Sequence, residues 1–425
     1  MIQSEDIRIA VIGLGYVGLP LGLALARHFT VLGYDSDSSR VEDLDAAHDR
    51  TGEVSTDELT GAPMRFTADT EALKSSNVFI VTVPTPIDKD NEPDLSALIS
   101  VSETLGRVID TGAVIVYEST VFPGATEDIC GPAVEAASGL KSGRDFFLGY
   151  SPERINPGDR EHTVEKISKV VAGQTAEVTA LLEHIYGTAL HRGVFVAENI
   201  KTAEAAKVIE NAQRDINIAF INEAAMIFQR MGIDTQQVLA AARTKWNFLD
   251  FQPGLVGGHC IGVDPFYLAH AARQFNHDPE IILAGRRIND GMAAFVAEQI
   301  DDRMDGVPGR VLILGLTFKE NVTDLRNSKV VDLVKALQAK GHDVAVHDTM
   351  ADIIEAQELY GLELLDHLPG KADYDALIGA VPHDAYRRMD APALQALTRP
   401  GGLIADLKNI WQDLDFGDHR RRWVL

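Results

Sequence analysis

Gly13-Leu14-Gly15-Tyr16-Val17-Gly18 is the turn around which this sequence organises itself. Ahead of it, Ile7-Arg8-Ile9-Ala10-Val11-Ile12 is the mostly apolar run expected of a strand buried in a parallel sheet. Behind it, an apolar segment reaching residue 28 reads as a helix, and Thr30-Val31-Leu32-Gly33-Tyr34 reads as a second strand closed by Asp35. Strand, glycine turn, helix, strand and acid make a dinucleotide-binding unit. The glycines let the turn approach a pyrophosphate, the helix N-terminus offers amide donors, and the carboxylate accepts from the adenine ribose. Tyr16 and Val17, inside the turn, are assigned to the cofactor together with Gly13, Gly15 and Gly18. A carboxylate at position 35 repels a 2′-phosphate, so NAD is favoured over NADP. Arg40, five residues on, is a cation that a phosphate could recruit, and it stays among the cofactor candidates.

The same sketch returns near residue 310. Val311-Leu312-Ile313-Leu314-Gly315 leads to a helix over residues 328–340 and then to Asp343-Val344-Ala345-Val346-His347, again closed by an acid, Asp348. The expected class is therefore α/β, with two Rossmann-like doubly wound domains. Between them, residues 200–231 keep a helical pattern with no Gly or Pro, too long for a strand-to-strand crossover. Such a helix suits a spine that joins the domains and pairs with a second subunit. The boundaries expected are 1–197 for the NAD-binding domain, 198–300 for a central helical dimerisation region and 301–425 for a C-terminal α/β domain.

A chain of 425 residues, 45% hydrophobic, is too long for one ordinary core. Its net charge of -24 argues against nucleic acid or an anionic membrane as partner. Two cysteines cannot make a disulfide framework, the first residues carry no basic leader, and no apolar run approaches the ~18 residues needed to span a bilayer. A soluble cytoplasmic protein is expected.

One of the two cysteines lies in Gly254-Leu255-Val256-Gly257-Gly258-His259-Cys260-Ile261-Gly262-Val263-Asp264-Pro265. Glycines let a substrate approach the backbone, so Cys260 is offered to something rather than packed away. A nucleophilic thiol beside a hydride acceptor can hold an aldehyde covalently while it is oxidised again, to the acid. A free thiol of pKa ~8.5 is only about 3% thiolate at pH 7, so cationic surroundings are expected to help it. Cys130, in an alanine-rich stretch, reads as a small buried hydrophobe. His259, Cys260 and His270 lack the spacing of a zinc site, and no metal is expected.

Four more stretches carry polar groups towards this chemistry. The loop at residues 84–93, with Thr85, follows the strand at 78–83 and borders the cofactor, as loops after parallel strands do. Glu118-Ser119-Thr120-Val121-Phe122-Pro123-Gly124 ends another strand and puts Thr120 near the nicotinamide. Ser151-Pro152-Glu153-Arg154-Ile155-Asn156-Pro157-Gly158-Asp159 holds an acid beside a base, which alone reads equally as a surface ion pair. On the long helix Lys207 and Asn211 share a face, with Arg214 one turn further on, and Ala203, Ala205, Ala206 and Ala212 leave room beside them.

Together these blocks, with GLTFKENVTDLRNS at residues 315–328, resemble the UDP-glucose/GDP-mannose dehydrogenase family along nearly the whole chain. The wording at residues 151–159 and 245–268 is most similar to the branch acting on UDP-N-acetylhexosamines. The resemblance implies a four-electron oxidation of the sugar C6 alcohol with two NAD, a UDP-binding C-terminal domain, and at least a homodimer that makes a surface-polysaccharide precursor. It also implies roles. Lys207 and Asn211 stabilise the developing alkoxide, Cys260 is the nucleophile, Glu153 the base, and Asp264 orients water or tunes Lys207, with Thr120 near the reacting centre. Glu153, Arg154, Ile155, Lys207, Asn211, Arg214, Gly257, Lys319 and Arg326 are implied at the substrate, and Arg326 also at the cofactor phosphates. Arg243, Lys245 and Trp246 are implied near the sugar end.

Two other classes stand beside this reading: a two-electron hydroxyacid dehydrogenase of the related β-hydroxyacid type, and an NAD-binding sensor or scaffold without turnover. Between UDP-N-acetylglucosamine and UDP-N-acetylgalactosamine the sequence does not choose. UDP-N-acetylmannosamine and UDP-glucose are less favoured, and GDP-mannose least.

Overall fold

A computed structural model describes residues 2–155, 164–258, 261–370, 373–417 and 421–425. The chain divides into two compact units. The first comprises Met1–Glu210 and Phe266–Asp278, the second Asn211–Pro265 and Pro279–Leu425.

The first unit is built on a sheet of strands β1 (Arg8–Ile12), β2 (Thr30–Tyr34), β3 (Arg65–Thr67), β4 (Val78–Val81), β5 (Val114–Tyr117), β6 (Phe147–Tyr150), β7 (Lys169–Gly173) and β8 (Val194–Val196). Their spatial order, β3-β2-β1-β4-β5-β6 followed by β7-β8, contains the doubly wound arrangement that splits at β1 and β4 and opens a crevice there. The strands from β3 to β6 pair in parallel, and β7 runs antiparallel to β6. Ile9, Val11, Ile80, Val114 and Val116 are almost wholly buried, which explains why these strands read as unbroken apolar runs. Helix α1 (Gly18–Ala26) stops two residues before the sequence pattern suggests, because the amides of both His28 and Phe29 turn back onto the Leu25 carbonyl. Helix α2 (Ala176–Ala189) covers the sheet with Leu182, Ile185 and Tyr186.

Helix α3 (Ile200–Met231) runs over the residues its uninterrupted pattern marked. It begins in the first unit and ends in the second. Helix α4 (Asp264–Gln274) follows the cysteine loop.

The second unit contains α5 (Glu280–Arg303) and a sheet of β9 (Arg310–Leu314), β10 (Asp343–His347), β11 (Tyr374–Gly379), β12 (Thr398–Asp406) and β13 (Arg421–Val424), paired in parallel in the order β10-β9-β11-β12-β13. Met292, Phe295 and Val296 of α5 pack with Val311 and Ile313 of β9 and with Leu333, Val334 and Leu337 of α6 (Val330–Ala339). Helix α6 starts two residues later than its pattern because Ser328 donates to the Leu316 carbonyl and accepts from the Val330 amide, acting as a stop. Both units are thus parallel α/β layers with helices on the sheet, the class the two repeats of the glycine-turn sketch predict. Among the described residues, no helix is long and apolar enough to cross a membrane.

Candidate functional site

In the first unit the glycine turn is shaped by backbone contact. Gly13 has φ of 93°, and a Cβ at Gly18 would lie 1.9 Å from the Gly13 carbonyl oxygen and 2.4 Å from Thr82 Oγ1. Gly15 differs: it is exposed, and nothing stands within 4 Å of where its Cβ would be. The Leu14 amide donates to Asp35 Oδ2 at 2.8 Å and the Asp37 amide to Oδ1 at 3.0 Å, so the carboxylate at the end of β2 is locked beside the turn. No side chain caps the N-terminus of α1, and Val17 at that end is buried while Tyr16 is half-buried. An open glycine in front of uncapped helix amides, with an oriented acid alongside, fits a dinucleotide pyrophosphate and ribose. Arg40 is 3% exposed and committed inward: Nε donates to the Leu14 carbonyl at 2.9 Å and one terminal nitrogen to Asp49 Oδ1 at 2.7 Å. It braces the turn from within, a position that does not present it to a phosphate as the sequence alone suggests.

Elsewhere in the same unit Glu153 and Lys207 are brought together. Both are nearly buried, with Glu153 Oε2 3.8 Å from Lys207 Nζ, and Glu153 Oε1 accepts from the Ile155 amide. Arg154 grips Glu210 with two nitrogens and donates to the Ser168 carbonyl at 3.1 Å. Thr120 is half-buried just beyond β5. The loop that follows it is tied to α3 by Glu204, whose carboxylate accepts from the amides of Gly124 at 2.5 Å and Thr126 at 2.9 Å. Burial pushes that carboxyl up to about 7, against the pull of those amides. The loop at 84–93 is fastened to the body of α4: Tyr267 donates to the carbonyls of Thr85 and Pro86, and Glu92 holds both His270 and Arg273.

In the second unit Asn211 Nδ2 donates to Asp264 Oδ2 at 2.6 Å, with the two residues 8% and 1% exposed. His259 and Cys260 lie outside the described residues, but the loop on either side of them is firmly held. Asn327 exchanges two hydrogen bonds with Gly258, Arg286 donates to the Ile261 carbonyl at 3.5 Å, and Asn222 pairs with both backbone groups of Gly254. A Cβ at Gly257 would meet the Asn327 carbonyl oxygen at 2.5 Å, and one at Gly258 would meet the Phe318 ring at 2.7 Å. The loop glycines therefore answer to packing against residues 318–327 of the same unit, a reason the sequence alone did not reveal.

Gly257 and Lys319 line a cavity of about 90 Å³ together with Glu320, Lys329 and Lys408. Lys329 is paired with Asp290 at 3.0 Å and Asp332 at 3.1 Å; Lys319, Lys408 and Glu320 are the other charges of the lining, an arrangement that suits an anionic group. Burial pushes the Lys408 ammonium down, Glu320 pulling the other way, while Lys329 is raised by Asp290 and Asp332 despite its own burial. Arg326 is exposed and forked onto Asp324, and Arg214 is exposed on α3. Arg243 pairs with Asp250, Lys245 is exposed, and Trp246 is 93% exposed. Cys130 is fully buried, its thiol pushed up to about 12 by that burial. Among the described residues, no three His, Cys, Asp or Glu side chains gather as a metal site.

Sequence reasoning missed Lys329 and Lys408, which reach the cavity from segments with no motif of their own, and also the buried Glu118–Lys169 pair. For that pair a signal was available: Lys169 opens an otherwise apolar strand, Lys169-Val170-Val171-Ala172-Gly173.

Comparison with known proteins places these features in a family. Residues 7–190 match the NAD binding domain of the UDP-glucose/GDP-mannose dehydrogenase family, residues 201–291 its central domain and residues 312–413 its UDP binding domain. The chain is 50% identical over 412 residues to a UDP-N-acetyl-D-glucosamine 6-dehydrogenase of Pseudomonas aeruginosa, covering 95% of this chain and 97% of that one. It is 49% identical over 422 residues to protein CapL of Staphylococcus aureus, covering 98% and 99%. Among solved structures, the UDP-D-ManNAc dehydrogenase of Pyrococcus horikoshii superposes with a TM-score of 0.87 at 30% identity, covering 98% and 99% of the two chains.

Proposed function

This chain belongs to the UDP-glucose/GDP-mannose dehydrogenase family, and we propose that within it the chain oxidises the C6 alcohol of a UDP-N-acetylhexosamine to the uronic acid, consuming two NAD. The observation that carries the chemistry is the buried meeting of Glu153 with Lys207, a carboxylate and an ammonium 3.8 Å apart in the interior of the first unit. The hexosamine assignment is supported by 50% identity to a UDP-N-acetylglucosamine 6-dehydrogenase, and the 30% identity to the UDP-D-ManNAc dehydrogenase disfavours the manno sugar among the N-acetylhexosamines.

NAD, bound at the glycine turn, supplies the hydride acceptor for both oxidations. In the first, Glu153 takes the C6 hydroxyl proton through a water while Lys207, helped by Asn211, steadies the negative charge that builds on the oxygen. In the second, Cys260 adds through sulfur to the aldehyde, giving a thiohemiacetal that loses a second hydride to become a thioester. Water then displaces the thiol and releases the acid, Glu153 holding the water proton. Asp264 fixes the Asn211 amide so that its remaining donor keeps one direction. The lysines of the second-unit cavity, Lys319 among them, suit the diphosphate of the nucleotide. A homodimer in the cytoplasm feeding surface-polysaccharide synthesis completes the proposal. The dimer is supported by the large apolar side chains Phe220, Ile227 and Met231 standing exposed on α3.

Counting NADH formed per sugar consumed, with UDP-N-acetylglucosamine, UDP-N-acetylgalactosamine, UDP-N-acetylmannosamine and UDP-glucose offered in turn, tests this directly. Two NADH per N-acetylhexosamine is the expected result. One would point to a two-electron hydroxyacid-type dehydrogenase and none to a scaffold. Cys260→Ser is expected to stall at an enzyme-bound intermediate after the first oxidation, and normal turnover to acid by that variant would remove the nucleophile assignment.

A further inference from the structure

Lys169 and Glu118 form an ion pair in the interior of the first unit, their side chains 3% and 0% exposed. Burying two charges costs more than their attraction returns unless every remaining donor and acceptor is used, and an apolar pair of the same volume often serves stability as well. The remaining groups here are used in a particular way. Glu118 accepts from Lys169 on one oxygen and from the hydroxyl of fully buried Tyr186 on the other. Burial and the Glu118 charge raise that phenol well above its ordinary pKa, so it stays a donor. The second contact of Lys169 Nζ is the Pro152 carbonyl oxygen, at 3.1 Å, and the Glu118 main-chain carbonyl accepts from the Glu153 amide at 3.3 Å.

These last two contacts fall on one peptide group, the one joining Pro152 to Glu153. Its carbonyl is held by Lys169 and its N–H by Glu118, and the two holders are bonded to each other. Next to it, Ser151 is fixed by its amide to the Tyr117 carbonyl and by its hydroxyl to the Val170 carbonyl. The carbonyl end of the peptide that carries Glu153 is therefore held by the buried pair, and its N–H end by the Glu118 main chain.

We propose that Glu118 and Lys169, with Tyr186, are positioning residues for Glu153: the Lys169 ammonium, held in place by the Glu118 carboxylate, fixes the carbonyl of the Pro152–Glu153 peptide, whose N–H rests on the Glu118 main chain, and so aims the Glu153 carboxylate. The proposal rests on the reading of Glu153 as the base. It acts on the turnover step, because a carboxylate displaced by an ångström still leaves the nucleotide and sugar contacts intact while costing up to about 100-fold in rate.

The test compares four enzymes: the native one, Glu118→Gln/Lys169→Met, Glu153→Gln, and the triple combination. The paired substitution removes both charges at once and strands neither. Expected are a folded protein by thermal melting, kcat reduced about 10- to 100-fold with KM for NAD and UDP-sugar within about threefold, and a triple variant within about twofold of Glu153→Gln. Native kcat in the paired variant overturns the proposal, and so does a loss that is equally large in the native and Glu153→Gln backgrounds, since Lys169 then acts on something else. Should the paired variant not fold, Tyr186→Phe, which keeps the ring and deletes one donor, is put through the same comparison. The expected loss is then a few-fold and confined to the background that retains Glu153, and its absence overturns the proposal. Full turnover by Glu153→Gln alone is a different failure, which removes the base assignment and with it this role.

Discussion

Gly15 and Gly18 stand three positions apart in one turn and are glycine for opposite reasons. At Gly18 the fold itself forbids a side chain, since a Cβ would collide with the Gly13 carbonyl at 1.9 Å. At Gly15 the fold leaves the space open, and under the proposed function what excludes a side chain is the approach of the pyrophosphate. Gly18→Ala is accordingly expected to destabilise the first unit by about 1–3 kcal/mol, a backbone shift in a packed turn being the only relief. Gly15→Ala is expected to melt within about 2 °C of the native protein, as substitutions that touch nothing do, while weakening NAD about tenfold or more. Thermal melting and an NAD titration read the two effects separately, and native NAD affinity in Gly15→Ala would remove this turn from the cofactor site. Asn211 and Asp264 show the same division between support and chemistry, because their 2.6 Å bond fixes the amide that the alkoxide role requires.

Strand, turn and acid recur in both units, yet the two acids end in different surroundings. Asp35 is half-buried beside its turn. Asp348 is 9% exposed, accepts from the amides of Leu316, Thr317, Met350 and Ala351, and meets His383 at 3.1 Å, so its carboxylate is already engaged by the protein. Burial opposes ionisation of Asp348, but His383 and those amides outweigh it and hold the carboxyl at about 2. A carboxyl depressed in the folded state adds stability that is present above its unfolded pKa and is lost as pH falls from about 4 to 2. The contribution at neutral pH is about 2 kcal/mol. Asp348→Asn is expected to lose that amount at pH 7 and to flatten the acid limb between pH 4 and 2. Urea unfolding followed by tryptophan fluorescence checks it, since Trp411 and Trp423 are buried in the second unit. The repeat of the motif was legible because it is local; its occupation by His383, 35 residues downstream of Asp348, was not. The same holds for Lys169 and Glu118, 51 residues apart. Helix α3 was legible end to end, since the absence of Gly and Pro over residues 200–231 is information the sequence carries locally.

A chain of net charge -24 that handles two anionic ligands must concentrate cations where they bind, and under the proposed function the lysines at the second-unit cavity are the ones that do so. Lys319 was legible from its motif, whereas Lys329 and Lys408 join it only through folding of β11, β12 and α6 around one cavity. The same net charge bears on assembly, because like-charged chains associate only through a surface apolar enough to overcome their repulsion. Phe220, Ile227 and Met231, at positions i, i+7 and i+11 of α3, form one stripe and are 65%, 48% and 62% exposed. A second copy of the same helix is the self-complementary partner for such a stripe, and the chain is expected to sediment as a dimer or larger symmetric oligomer. Phe220→Glu combined with Ile227→Glu puts two carboxylates into that contact without touching the core. The double variant is expected to shift to monomer in analytical ultracentrifugation while keeping native helix content by circular dichroism. Raising salt to 1 M contracts the Debye length to about 3 Å and should strengthen self-association of the native chain, since apolar contact persists while long-range repulsion is screened. An unchanged sedimentation coefficient in the double variant would move the subunit contact away from α3.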